Sequence, residues 1–68
     1  MDYLKLEYEM KRKGVSVAEL CNALNMSRTA FYRKSRGISE FNRAEILAIV
    51  EYLNLESPME IFFPEKVS

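Results

Sequence analysis

Four of the ten Lys and Arg residues of this chain fall in one stretch, NMSRTAFYRKSRG at residues 25–37, which contains no acid. Arg28, Arg33, Lys34 and Arg36 are donor-only groups. A guanidinium offers five N–H donors in a planar fork, and an ammonium offers three. Ser27 and Thr29 add hydroxyls, and Tyr32 adds a ring with a phenol. Such groups suit a partner rich in acceptor oxygens and flat rings. The plain alternative is a solvated basic helix face.

Other chemistries find little material. The chain has no histidine, one cysteine and two glycines, Gly14 and Gly37. One thiol cannot close an internal disulfide. A metal site of ordinary nitrogen and sulfur ligands lacks its ligands. No Cys- or His-based catalytic dyad and no glycine-rich phosphate loop is available. The expectation is therefore a protein that is not an enzyme and that has no cofactor and no metal. Cys21 reads as a small buried residue rather than a redox switch.

The formal net charge is zero, but the charge is polarised. Residues 11–43 carry eight Lys/Arg against Glu19 and Glu40, whereas the flanks carry Lys5 and Lys66 against eight acids. A polyanion responds to local charge within a Debye length of about 10 Å, so it would meet a basic middle. With 49% hydrophobic residues the chain can fold. No apolar run nears the roughly 20 residues that cross a bilayer. These features predict a soluble, cytoplasmic protein with no membrane partner and a single domain over residues 1–68, its core at 3–63 and an extended tail at 64–68.

Five helices are expected to position the basic stretch. In the first segment, Leu4, Leu6, Tyr8 and Met10 alternate as in a strand, but Tyr3, Leu6 and Met10 also share a helical face. Lys11–Lys13 followed by Gly14 would suit the end of a helix, so a helix is expected. Ser16 and Glu19 form a capping-box pattern ahead of Val17, Leu20, Cys21 and Leu24, and Asn25 would end that helix. Ser27 caps a third helix over about 28–36, with Ala30 and Phe31 inward and Gly37 beyond it. Lys34 and Ser35 stand where a core helix would repeat an apolar residue. Asn42 and Glu45 open a fourth, whose stripe of Ile46, Leu47, Ile49, Val50 and Leu53 should make it the central core helix. Ser57, Pro58 and Glu60 open a short fifth that ends at Phe62 and Phe63.

A helix, a turn of about three residues and a second helix make a helix-turn-helix, in which the second helix lies in the DNA major groove. SVAELCNALNMSRTAFYRKSRG resembles the helix-turn-helix of the Cro/CI-type phage repressors, the wider xenobiotic-response-element (XRE) family. Leu20 and Leu24 stand at its core positions, Cys21 at its small contact residue, Asn25 at its turn glycine, Ser27 at its recognition-helix cap and Phe31 at its buried aliphatic. The longer run SRTAFYRKSRGISEFNRAEI, followed by YLNL and IFF, is similar to small phage-associated regulators of low-GC Gram-positive bacteria. Together the likeness covers about residues 3–63. Three positions depart from the family. Val17 replaces a common glutamine, and Met10 and Ser35 stand where better-known repressors pair an arginine with a glutamate.

The resemblance implies an all-α, five-helix repressor-like DNA-binding domain with helices 2 and 3 as the motif. It implies base-edge contacts from Arg28, Thr29, Tyr32 and Arg33, since arginine can donate two bonds to guanine and threonine can touch a thymine methyl. Backbone phosphates would be met by Ser16, Ser27, Lys34, Arg36, Asn42 and Arg43; Lys11–Lys13 read first as favourable charge at a helix C-terminus, with a weaker phosphate contribution as the alternative. The implied partner is a palindromic double-stranded DNA operator bound by a homodimer formed through helix 5 and the IFFPEKV tail. One of Phe62 and Phe63 is expected to close the core and the other to lie in the dimer contact. The competing reading is a protein-binding module of the same fold, an antitoxin or antirepressor, that turns its basic helix toward an acidic partner.

Overall fold

In the computed structural model, which describes residues 1–66, the chain forms five α-helices and a closing 3-10 turn, with no strand among the described residues. The helices are α1 (Tyr3–Arg12), α2 (Val17–Leu24), α3 (Arg28–Ser35), α4 (Arg43–Leu53) and α5 (Pro58–Phe62). The radius of gyration is 11.0 Å, matching the roughly 11 Å of a packed chain this long. The all-α expectation holds. The tail is not extended: Pro64–Lys66 is a 3-10 turn, and Val67 and Ser68 lie outside the described residues.

The sequence of α1 carried both a strand and a helix pattern, and packing decides between them. Leu6 and Met10, four residues apart, are buried, whereas Leu4 and Tyr8 are exposed. That spacing is one turn of a helix. Asp2 caps it, its carboxylate accepting from the Lys5 amide at 3.2 Å. Gly14 then takes φ +68°, which a side chain would oppose. At the start of α2 the Ser16 hydroxyl accepts from the Glu19 amide at 3.0 Å, but the capping box is only half made. The Glu19 carboxylate instead accepts from the Tyr52 hydroxyl of α4 at 2.5 Å. That bond, with smaller contributions from desolvation and the carboxylate charge, raises the Tyr52 phenol above its ordinary value.

Every helix supplies the core: Leu6 and Met10, Leu20 and Cys21, Phe31, Ile49 and Leu53, and Ile61 and Phe62, joined by Leu55. Helix α2 packs on α4 and α3, and α1 on α5. Phe41, in the loop before α4, stands edge-on to Phe31 and Phe62, with ring centroids 5.8 and 6.0 Å away. Edge-on pairs add about 0.5–1.5 kcal/mol beyond area burial, so this three-ring chain ties α3 to α5. Leu47 is a correction. It is 51% exposed. At about 100° per residue it lies roughly a third of a turn from the centre of the Ile46, Ile49, Val50 and Leu53 stripe. Ser57 is another: it makes no side-chain cap to α5.

The ends of α4 are held by two lysines, Lys13 just after α1 and Lys34 of α3. Lys13 donates to the Leu53 and Asn54 carbonyls, neutralising the C-terminal end. At the other end Asn42 and Glu45 form a complete capping box, at 2.8 and 2.9 Å, and the same carboxylate receives the Lys34 ammonium of α3 at 2.7 and 2.8 Å. Partial burial would raise the Glu45 carboxyl. The bonds from Lys34 and the Asn42 amide, with the Lys34 charge, outweigh it and hold the group below its ordinary 4.5.

A carboxyl depressed on folding contributes stability that is complete above its unfolded value and is lost as pH falls through the native one. Glu45→Gln keeps the shape and removes the charge. It is expected to cost about 1 kcal/mol near pH 7. The difference from wild type should shrink as the pH drops below about 4.5, read by urea melts at several pH values. A gap independent of pH would remove the ion pair from the account.

Candidate nucleic-acid interface

The turn between α2 and α3 is three residues long, Asn25, Met26 and Ser27. Asn25 takes the left-handed conformation (φ 53°, ψ 47°) that ends α2. The Met26 amide donates back to the Cys21 carbonyl at 2.9 Å, and Met26 packs its side chain on the core. Ser27 opens α3 at once, its hydroxyl accepting from the Ala30 amide at 3.1 Å. Asparagine serves here because it tolerates positive φ better than most side chains.

Helix α3 is held by one stripe and shows the other. Phe31 and Ser35, one turn apart, are its buried residues, at 2% exposure each. Ser35 needs no partner from another element, because its hydroxyl donates to the Tyr32 carbonyl at 3.0 Å. Met10 and Ser35, read from the sequence as departures from a charge pair, are thus both buried and uncharged. Ala30 is half-buried. Arg28, Thr29, Tyr32, Arg33 and Arg36 fall within an arc of about 140° at helical spacing, and all five are exposed.

The charges on that arc stand without acids. Among the described residues the ion pairs engage Lys11, Arg12, Lys13 and Lys34, and leave Arg28, Arg33, Arg36 and Arg43 without a carboxylate partner. Lys11–Lys13 are accordingly occupied within the fold, Lys11 with Glu7, Arg12 with Glu9, and Lys13 at Glu9 and the end of α4. Lys34, expected at a phosphate, spends its ammonium on Glu45 and is half-buried, so its charge is already compensated.

The other backbone candidates divide. Ser16 and Ser27 are exposed at helix starts, where their hydroxyl oxygens already accept a first-turn amide. Asn42 is exposed but its side-chain carbonyl caps α4. Arg43 is exposed and unpaired among the described residues. The Lys34–Glu45 bond sets the start of α4, and so Arg43, against the far end of α3. Burial pushes the Cys21 thiol above its ordinary range, only partly opposed by the nearby Arg28 charge, so it stays protonated beneath the turn.

Arg36 has a surrounding that its sequence neighbours do not announce. Its guanidinium carbon lies 4.4 Å from the Tyr3 ring centroid and 4.6 Å from that of Tyr32. Tyr32 is its own helix partner at i and i+4, a spacing that could have been read from sequence. Tyr3 belongs to α1, and only the packing of α1 brings it there.

Among the described residues no helix is long and apolar enough to cross a membrane. No curated protein and no solved structure gives a significant match. The model of the Cro/C1-type HTH DNA-binding domain family, however, matches residues 5–65, nearly the whole chain. A three-residue turn, a thinly anchored second helix and a basic outward arc agree with that match, and the chain belongs to the Cro/C1-type helix-turn-helix DNA-binding family of transcription regulators.

Proposed function

We propose that this chain is a sequence-specific repressor of the Cro kind that places α3 in the major groove of a palindromic operator. The observation that carries the reading is the acid-free outward arc of α3, with Arg28 and Arg33 unpaired among the described residues. Arg28, Thr29, Tyr32 and Arg33 read base edges. Arg36 and Arg43 neutralise phosphates, assisted by the exposed helix starts at Ser16, Ser27 and Asn42, while Lys34 braces the framework. The groove is about 12 Å wide and admits one helix.

One helix on one half-site reads few bases, so two copies act together about 34 Å apart. The dimer contact forms through α5 and the segment after it, where Met59 and Phe63 are exposed and Phe62 closes the core. The similarity of the run SRTAFYRKSRGISEFNRAEI to small phage regulators supports a role in phage or prophage control.

Selection of binding sites from random duplexes, at two salt concentrations, tests this reading. An enriched palindrome is expected, with affinity falling steeply as salt rises. Binding without an enriched sequence would overturn it, as would no binding at all, which would leave the basic arc to an acidic protein partner.

A further inference from the structure

We infer that Tyr3, on α1 and outside the helix-turn-helix, is a positioning residue for DNA binding that acts through Arg36. The inference rests on the proposed reading of α3 as the DNA-facing helix. Arg36 is exposed, its guanidinium has no carboxylate partner and no hydrogen bond among the described residues, and only its backbone amide is engaged, with the Tyr32 carbonyl at 3.0 Å. What it has instead is two rings, Tyr3 and Tyr32, each within 4.6 Å of its guanidinium carbon. A cation over a ring face is attracted by the ring quadrupole. The rings bring no carboxylate or carbonyl to the guanidinium, so its N–H fork is left without an acceptor among the described residues, and that fork is the part that matches a phosphate.

The consequence is preorganisation. Arginine has many rotamers, and an exposed one loses that freedom when it binds. Tyr32 lies one turn back on the same helix and would move with Arg36. Tyr3 is the fixed point: it is half-buried and opens α1, next to Asp2, whose amide donates to the Ile61 carbonyl of α5 at 2.6 Å. Arg36 is thereby held to the body of the domain and not to its own helix alone. The effect of Tyr3 should therefore be felt in DNA affinity and should vanish when Arg36 is gone.

The test is a double-mutant cycle on the full chain, with a random-sequence duplex of about two helical turns, roughly 20 base pairs, as the probe. Binding is measured across a salt series for wild type, Tyr3→Leu, Tyr3→Phe, Arg36→Gln and Tyr3→Leu/Arg36→Gln, with thermal melts of each. Tyr3→Leu is expected to weaken binding about two- to fivefold, with an unchanged salt slope. Tyr3→Phe, which keeps the ring, is expected to bind as wild type does. Arg36→Gln should lower the slope by about 0.9, one phosphate, and adding Tyr3→Leu to it should change nothing further.

A Tyr3→Leu loss that persists in the Arg36→Gln background overturns the inference, because Tyr3 then acts through stability or by itself. Wild-type affinity in Tyr3→Leu, with the wild type binding the duplex, overturns it alone and leaves the function standing. Absence of duplex binding by the wild type overturns both.

Discussion

Phe31→Ala is expected to unfold the domain. Phe31 is 2% exposed, and it is the one large apolar side chain that α3 commits to the core, the helix's other buried residue being Ser35. Removing a buried phenylalanine side chain costs about 3–5 kcal/mol in lost transfer and residual cavity. A domain this small has a total stability of only about 3–10 kcal/mol at roughly 0.05–0.15 kcal/mol per residue. The loss also takes with it the edge-on contact to Phe41, and so the ring chain that ties α3 to α5.

Helicity by circular dichroism and DNA binding should therefore disappear together, with the urea midpoint at or near zero. Phe31→Leu refills most of the volume and should cost less than about 1.5 kcal/mol. Leu47→Ala is the contrast. The same helical-stripe logic would have placed it in the core, but at 51% exposure its cost should stay within about 0.5 kcal/mol. A Phe31→Ala variant that melts near wild type would mean that α3 is held by something other than its one aromatic anchor.

What could be read from the chain was local chemistry. Ser16, Ser27 and Asn42 each announce a helix start because a short polar side chain followed by a free amide has one good local use. All three accept the amide three residues on. Phe31 against Arg28, Thr29, Tyr32 and Arg33 likewise separates by face once the helix is placed. What could not be read was the competition between elements for one side chain. Glu19 and Glu45 carry the same box pattern, yet Glu45 completes its box and also takes Lys34, while Glu19 abandons its box for Tyr52. The two segments differ nearby in their caps, Ser16 and Asn42, and in Val17 against Arg43, but neither difference names the distant partner that each glutamate takes. Lys34 and Arg36 read as two equivalent cations at the end of a basic helix. Packing makes the first a brace and leaves the second a free donor fork over two rings. Phe41 sits in a loop segment, GISEF, with no periodicity to mark it, and becomes the hinge of the aromatic chain through contacts distant in sequence.

Arg33→Ala and Arg28→Ala, made singly, are expected to reduce affinity for the enriched operator roughly 5- to 150-fold each, the loss of about 1–3 kcal/mol that follows removal of a bidentate base contact. Neither arginine has a carboxylate partner among the described residues. Truncation therefore strands no internal partner, and both side chains leave from the exposed arc, so the melting temperature should stay near wild type. The signature that separates base reading from simple charge is twofold. Repeating the selection with each variant should relax the preference at particular positions of the half-site, different ones for Arg28 and Arg33, because the two stand more than one turn apart on α3. The slope of log affinity against log salt should stay close to wild type, since a base contact releases few counterions. Arg43→Ala supplies the opposite pattern: all sequences weaken alike and the slope falls by about 0.9 per phosphate lost. If Arg28→Ala and Arg33→Ala instead behave as Arg43→Ala does, with uniform weakening and a shallower slope, α3 touches the backbone rather than the base edges. The specificity would then have to come from the deformability of the duplex, which a helix lying across the groove can sense without reading a single base.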